Sequence, residues 1–491
     1  MEEEIRSLIS MGTWELVKRP CGVNIMKNRW VLTTKYRLDD TVEREKARLV
    51  VKGFMQVCGA DYDEMYSPVS SYVTLRIFLS IVAVFDLNLM QLDMKNAFLQ
   101  SKLDRVLYMY QPTILTMGPA GALDGVLLGA GWKKSQVNEA LYFKAGDDGV
   151  TCWVLVYVND LLAASSSPVM LKELKELLEA AFELREISPV VKYLGLEIVR
   201  DRPARKLWLH QQGYADKLRR RFIDEEQGGR LPKTPVSTDA YAELTFDDEE
   251  AQKREEEEYR QRVGSLQFAA TTTRPDIAFA CSKLGSGLTV RSDQLWREVD
   301  SCLAYLADTR GTALEFGGGP KSLELIGYMD ADDAGVKQDR TSTGGYVFVY
   351  GGAAVSWSSS CIKCATLSST ESEYVAATNV GKEGRRLRFL SELKLLDAGN
   401  PTILHVDNKS AITVAEGLEL TGNLTHMERR YAWLQHMVRR GKFVLKYILT
   451  TEQPADFLTK ALHFPAFNRC SVAIGQVCLA DVGDVDDDVQ Q

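Results

Sequence analysis

The residues of this chain best placed to do chemistry are acids set at the ends of apolar runs. In VLVYVNDLLAA (154–164) two apolar runs flank a polar tip, which is a β-hairpin signal that carries Asn159 and Asp160 out toward a cleft. QLDMKNAFL (91–99) offers another acid, Asp93, at the end of a strand-like stretch expected from Ile81 to Leu92. Carboxylates brought from two separate strands can bridge two divalent ions about 4 Å apart. Nucleotidyl transfer needs such a pair, one ion for the attacking 3′-hydroxyl and one for the triphosphate.

The elements that must position these acids belong to an ordinary core-forming chain. With 491 residues the length suggests two to four domains, and 45% apolar with 26% charged residues excludes a fibrous or wholly disordered protein. No apolar stretch approaches the ~18 residues of a membrane span, and the acidic start MEEEIRS is the reverse of a signal peptide's basic region. A cytoplasmic or nuclear location is therefore expected. The net charge of −8 is concentrated in two places, residues 247–258 (net −6) and the five aspartates of 481–488; without them the chain carries +3. Basic clusters then stand out at 217–221 (KLRRR), 385–388 (RRLR) and 429–442, each readable as a solvated helix face or as a nucleic-acid contact. Cys361 and Cys364 have metal-ligand spacing but no second Cys/His pair nearby, so unpaired thiols are expected.

A series of motifs in fixed order narrows the reading: TWELVKRP (13–20), KNRWVLTTKYR (27–37), KARLVVKGFMQVCGADYDEMYSPV (46–69), QLDMKNAFL, YVNDLL, YLGLEI (193–198), TTRPDIAFA (272–280), GYMDADDAG (327–335), SSTESEYVAA (368–377), HVDNKSA (405–411) and QPADFLTK (453–460). The chain resembles the reverse transcriptase and RNase H portion of the Pol polyprotein of copia-type LTR retrotransposons, from Met1 to about Leu462. The resemblance implies an α+β, α/β architecture: a right-hand polymerase with fingers and palm (1–175) and a thumb or connection (176–317), then an RNase H-like α/β domain (318–465). An acidic disordered tail (466–491) is expected to close the chain.

The resemblance also assigns roles. Asp93, Asn159 and Asp160 fall at the polymerase metal site, where the family's hairpin tip carries two Asp; the neutral Asn159 offers one carbonyl oxygen in place of a bridging carboxylate. Between YMYQP (108–112) and GWKKSQVNEALYF (131–143) only 18 residues stand where family members place several tens, including a segment of the type LYGLKQAPRAW. Both departures predict absent or much reduced DNA synthesis. Lys46 and Arg48 are expected to meet the triphosphate of a dNTP, or else to form a charged strand face.

The RNase H motifs are intact at their acids. Asp330, Glu373, Asp407 and Asp456 are expected to hold two Mg²⁺ ions, or Mn²⁺, beside the scissile phosphate of an RNA/DNA hybrid. Glu371 points about 200° from Glu373 on a helix, and Ser368 to Glu371 reads as a capping box instead. Asp333 replaces a Trp common in the family, and His426 stands where the family has a His that assists proton transfer or product release. Three functions stay open: a damaged polymerase with a working RNase H, a fully active reverse transcriptase on an RNA template, and a non-catalytic nucleic-acid-binding remnant.

Overall fold

The computed structural model describes residues 8, 17, 25–36, 42–51, 70–94, 108–109, 121–136, 138–146, 149–223, 232–236, 249–286, 293–317, 323–332, 342–362, 369–388, 400–417 and 428–481. The chain divides into two compact units, Met1–Ser70 with Leu89–Ser188, and Ser71–Asn88 with Pro189–Gln491. The expected 1–175 block is thus interrupted.

The first unit opens with an antiparallel ribbon of β1 (Asn28–Tyr36) and β2 (Val42–Val51). The chain then leaves for helix α1 (Tyr72–Val84), which belongs to the second unit, and returns as β3 (Asn88–Met94). Helix α2 (Gly121–Gly129), β4 (Lys133–Lys134), β5 (Leu141–Ala145), β6 (Thr151–Tyr157), β7 (Asp160–Ser165), α3 (Pro168–Glu179) and β8 (Leu184–Ile187) complete the unit. They form a six-stranded sheet in the order β8-β3-β7-β6-β5-β4. Leu92, Leu127, Val154, Leu161 and Leu178 form its buried core, each worth about 1.5–3 kcal/mol when fully taken from water.

The strand expected from Ile81 to Leu92 is corrected. Residues 81–84 finish α1, Asp86 turns the chain at φ 47, and the strand begins at Asn88. A short apolar run does not distinguish a helix buried all round from a strand, and every residue from Thr74 to Val84 is buried. Ser71 accepts the Thr74 N–H as N-cap. Arg76 explains why α1 joins the second unit: its guanidinium donates to the carbonyls of Val355, Thr271 and Thr272 and lies 4.0 Å over the Trp357 ring.

The second unit holds two five-stranded sheets. β9 (Lys192–Tyr193), β10 (Leu196–Asp201) and β11 (Lys206–His210) precede the helices α4 (Gln212–Phe222), α5 (Glu249–Thr272), α6 (Ala278–Ser286) and α7 (Asp293–Asp308), after which β12 (Thr312–Phe316) extends the sheet. The other sheet is built from β13 (Ile326–Asp332), β14 (Thr343–Tyr350), β15 (Ala353–Cys361), β16 (Thr402–Val406) and β17 (Phe443–Tyr447), in the order β15-β14-β13-β16-β17. β13 pairs antiparallel with β14 and parallel with β16, and β16 parallel with β17. Helices α8 (Ser369–Leu387), α9 (Lys409–Glu416) and α10 (Glu428–Arg439) supply the crossovers, giving an RNase H-like α/β arrangement within an α+β chain.

The tail expected from residue 466 is also corrected. α11 (Phe464–Ala473) and β18 (Gln476–Cys478) are ordered, and β18 pairs with β12 as the last strand of the first sheet. Phe467 and Ile474 are buried, and Gln476 donates 2.9 Å to Asp276. Asp276 is itself held by Arg274 at 2.7 Å and Tyr305 at 2.8 Å, so the motif TTRPDIAFA makes a buried structural ion pair. The aspartates after 481 hid these apolar anchors in the sequence, and residues 482–491 lie outside the described ones.

Candidate active sites

Asp330 sits near the carboxyl end of β13, the central strand of its sheet, and Asp407 directly follows the end of the parallel β16. In open α/β sheets the crevice outside the carboxyl ends of the parallel strands is the usual place for a ligand. Glu373 enters it from the first turns of α8, and Asp456 from the 3₁₀ turn Pro454–Leu458. Gln453 anchors that turn: its amide donates 2.8 Å to the Met329 carbonyl, one residue before Asp330, and its carbonyl oxygen accepts the Ala455 N–H. Gly345, opposite Asp330 in the register, lets the turn approach; a Cβ there would lie 2.8 Å from Leu458 Cβ and Thr459 Cγ2.

Asp330, Glu373 and Asp407 present carboxylate oxygens within 4.8 Å of one another, the one group of three or more metal-ligating side chains among the described residues. Asp456 joins them through Lys460, whose Nζ stands 3.4 Å from Asp330 Oδ2 and 3.2 Å from Asp456 Oδ1. Asp456 Oδ1 is itself buried, so this ion pair is shielded from water on the carboxylate side. The Thr459 hydroxyl donates to Asp330 Oδ2, and Thr450 donates 3.0 Å to Asp407 Oδ2. Glu373, only 5% exposed, keeps Oε2 with no hydrogen-bond partner.

Electrostatics follow from crowding. Burial first, then the charges of Asp330 and Asp407, push Glu373 up to about 9. Burial and Asp330 push Asp456 up to about 7 and raise Asp407. Burial works against the charge on Lys460, yet Asp330 and Asp456 hold its pKa above the ordinary lysine value. An all-oxygen donor set with mutual repulsion and an unpartnered buried oxygen fits a hard divalent cation.

The hairpin of the first unit forms as expected, but its tip lies one residue earlier than the polar pair Asn159-Asp160, and Asp160 opens the second strand. Tyr157 pairs with Asp160 across a two-residue tip, Val158-Asn159. The Asn159 carbonyl accepts the Met94 N–H at 2.9 Å, bringing the tip beside Asp93 at the end of β3, whose other neighbour puts Arg185 opposite Asp93. Asn159 Oδ1 is buried without a partner. The backbone thus sets Asn159 next to Met94, the neighbour of Asp93, with Asp160 following in β7.

Other sequence candidates fall elsewhere. Lys46 and Arg48 lie on β2, in register with Thr33 and Val31, and Arg48 is exposed. His426, Asp333, Cys364 and the capping residue Ser368 lie outside the described residues. The cluster 217–221 lies on α4, while those at 385–388 and 429–442 begin on α8 and α10 and run past their ends. Sequence reasoning missed Lys460, Thr459, Thr450 and Gln453. The first two end the motif QPADFLTK, where only the acid had drawn attention.

The profile of the family described as reverse transcriptase (RNA-dependent DNA polymerase) matches residues 11–119 and 116–224. The join between the two pieces falls in the short segment 113–130. The retrovirus-related Pol polyprotein from transposon TNT 1-94 of Nicotiana tabacum is 35% identical over 97% of this chain and 37% of its own length. Those from transposons RE2 and RE1 of Arabidopsis thaliana are 32% and 31% identical over 97% of this chain and over 34% and 33% of their own. The chain spans about a third of the length of these relatives. Among solved structures, RNase H1 of Halobacterium salinarum aligns over 28% of this chain and 94% of its own at 16% identity and a TM-score of 0.22.

A reverse transcriptase region followed by an RNase H-like α/β domain is the class these features define. The chain belongs to the Pol polyproteins of copia-type LTR retrotransposons. No helix among the described residues is long and apolar enough to cross a membrane.

Proposed function

We propose that this chain is a retroelement Pol product whose RNase H site cleaves the RNA strand of RNA/DNA hybrids, while DNA synthesis at the hairpin site is lost or severely reduced. The observation that carries the reading is the contrast between the two sites: three carboxylates within 4.8 Å and an unpartnered Glu373 Oε2 in one, a neutral Asn159 in the other. Asp330, Glu373, Asp407 and Asp456 would hold two Mg²⁺ ions, with Mn²⁺ as a substitute. When bound, such a pair supplies a hydroxide nucleophile and stabilises the leaving 3′-oxygen.

The chain's own groups prepare the site. Thr450 orients Asp407, Thr459 orients Asp330, and Gln453 fixes the turn that presents Asp456. A hybrid is chosen over duplex DNA through its 2′-hydroxyls, with little sequence preference and steep salt dependence. The helix α10, with its basic residues, is the candidate surface for the hybrid backbone. In the hairpin site Asp93 and Asp160 would hold metal, and Lys46 and Arg48 would meet a dNTP, only as far as Asn159 and the 18-residue segment 113–130 allow. We place fingers and palm in 1–175, thumb or connection in 176–317 and the RNase H-like domain from 318 to 465.

The test is cleavage of a labelled RNA/DNA hybrid in Mg²⁺ and Mn²⁺, with Asp407→Asn beside the unaltered chain and primer extension on the same preparation. Cleavage that the substitution abolishes, without extension, is expected. Folded protein that cleaves nothing points to an inert remnant, and robust extension to a working polymerase.

A further inference from the structure

Three carboxylates that meet within 4.8 Å need a positive charge, and the chain brings one of its own. Lys460 Nζ stands between Asp330 Oδ2 and Asp456 Oδ1, at 3.4 and 3.2 Å. It is not equally close to the whole group. The members it touches are the strand acid and the turn acid, whereas Asp407 is bonded to Thr450 and Glu373 Oε2 is left bare. The site therefore has two halves: one already neutralised by a lysine, one open.

A divalent ion bound by Asp330 and Asp456 needs their oxygens at about 2.0–2.6 Å. An ammonium already resting between those oxygens occupies the same place. Its hold can be released: the Lys460 side chain is 32% exposed, and a four-carbon stem lets the ammonium swing into water. The acids must keep their places without it. Gln453 and the Thr459 hydroxyl, which hold the turn and Asp330, do not depend on the lysine.

We propose that Lys460 is a displaceable internal counter-ion, which holds the Asp330–Asp456 half of the site closed until a divalent cation expels it. The proposal rests on the reading of these carboxylates as a metal site. It makes the two ion positions unequal: the half formed by Glu373 and Asp407 loads first, and the other loads by exchange of one cation for another. The lysine thereby sets the metal concentration at which the site fills.

The experiment is Mn²⁺ binding to the full chain without nucleic acid, followed by electron paramagnetic resonance of the free ion. Lys460→Met, which keeps the length and removes the charge, is expected to bind Mn²⁺ at least ~5-fold tighter, because a like charge a few ångströms away is gone. Lys460→Arg, which keeps the charge, is expected to stay much closer to the unaltered chain than Lys460→Met does. Unchanged or weaker binding in Lys460→Met overturns the proposal and leaves the metal site standing. Binding no different between the unaltered chain and Asp407→Asn overturns the site itself. A second measurement needs no substitution at all: labelling of Lys460 by an amine-reactive reagent should rise when Mn²⁺ is added, and labelling that stays level or falls overturns displacement.

Discussion

The hairpin site and the carboxylate crevice are assembled by the same means and end with different chemistry. In each, an acid near the end of an interior strand, Asp93 or Asp330, lies beside a neighbouring strand that carries further polar groups. The crevice collects carboxylates from four separate elements, and burial, followed by the charges of Asp330 and Asp407, pushes Glu373 up to about 9. The hairpin keeps its geometry, with the Asn159 carbonyl bonded to Met94, but has a neutral amide where the family has an acid. Backbone placement and ligand chemistry are thus separable: the bond from Met94 to the Asn159 carbonyl involves main-chain atoms alone and does not depend on which side chain position 159 carries.

The sharpest way to break this comparison is to remove a charge from the better site. Asp407→Asn is expected to lower hybrid cleavage by more than ~10²-fold, beyond the 10–100-fold typical when only a supporting residue of a metal site is lost. Cleavage within a few-fold of the unaltered chain would mean that Asp407 holds no metal.

The reverse substitution sharpens it. Asn159→Asp restores a carboxylate to a tip already pinned beside Asp93, and a ~10-fold gain in primer extension is expected from the added metal ligand. Activity should still fall short of a complete enzyme, because the 18 residues of 113–130 cannot supply the missing nucleotide-pocket segment. No gain at all would shift the blame from Asn159 to that segment.

The parts that sequence made legible are those where a pattern has one physical meaning. VLVYVNDLLAA allows little but a hairpin, and the acid following TILHV stands just past its strand, whereas the one following ELIGYM sits two residues before the end of its own. YVTLRIFLSIVAV has no such uniqueness, since burial on every side erases the periodicity that separates helix from strand. Lys460 and Gln453 were illegible for another reason. Lys460 stands four residues from Asp456, but its second partner Asp330, like Met329 for Gln453, lies more than a hundred residues away, and only the folded sheet brings them together.

Acidity distinguishes the crevice by a milder effect. Glu373 and Asp456 have folded pKa values of about 9 and about 7, above their ordinary 4.5 and 3.8. Between the ordinary and the raised values the folded state binds protons that the unfolded chain has released, so metal-free stability falls as pH rises through that window. Melting in chelator should therefore move down by several degrees between pH 5.5 and 8.5. Added Mg²⁺ should flatten the slope, because it favours the ionised carboxylates. Equal slopes with and without metal would refute the coupling.

The smallest effect tests the hairpin alone. Val158, at its tip, has φ 56, a left-handed conformation that is costly for a β-branched residue. For ordinary L-residues that region costs roughly 1–2 kcal/mol, and Asn enters it more readily because its short polar side chain bonds locally. Glycine would relieve the strain as well, but gives back about 0.5–1 kcal/mol in unfolded-chain entropy. Val158 is 41% exposed, so little burial is forfeited by a polar replacement. Val158→Asn should therefore stabilise the chain by about 1 kcal/mol, read from the urea midpoint, while Val158→Gly should leave it nearly unchanged. Destabilisation by Asn would show that the valine side chain makes a contact worth more than its strain, and that the tip is held by packing as well as by the bond from Met94 to Asn159.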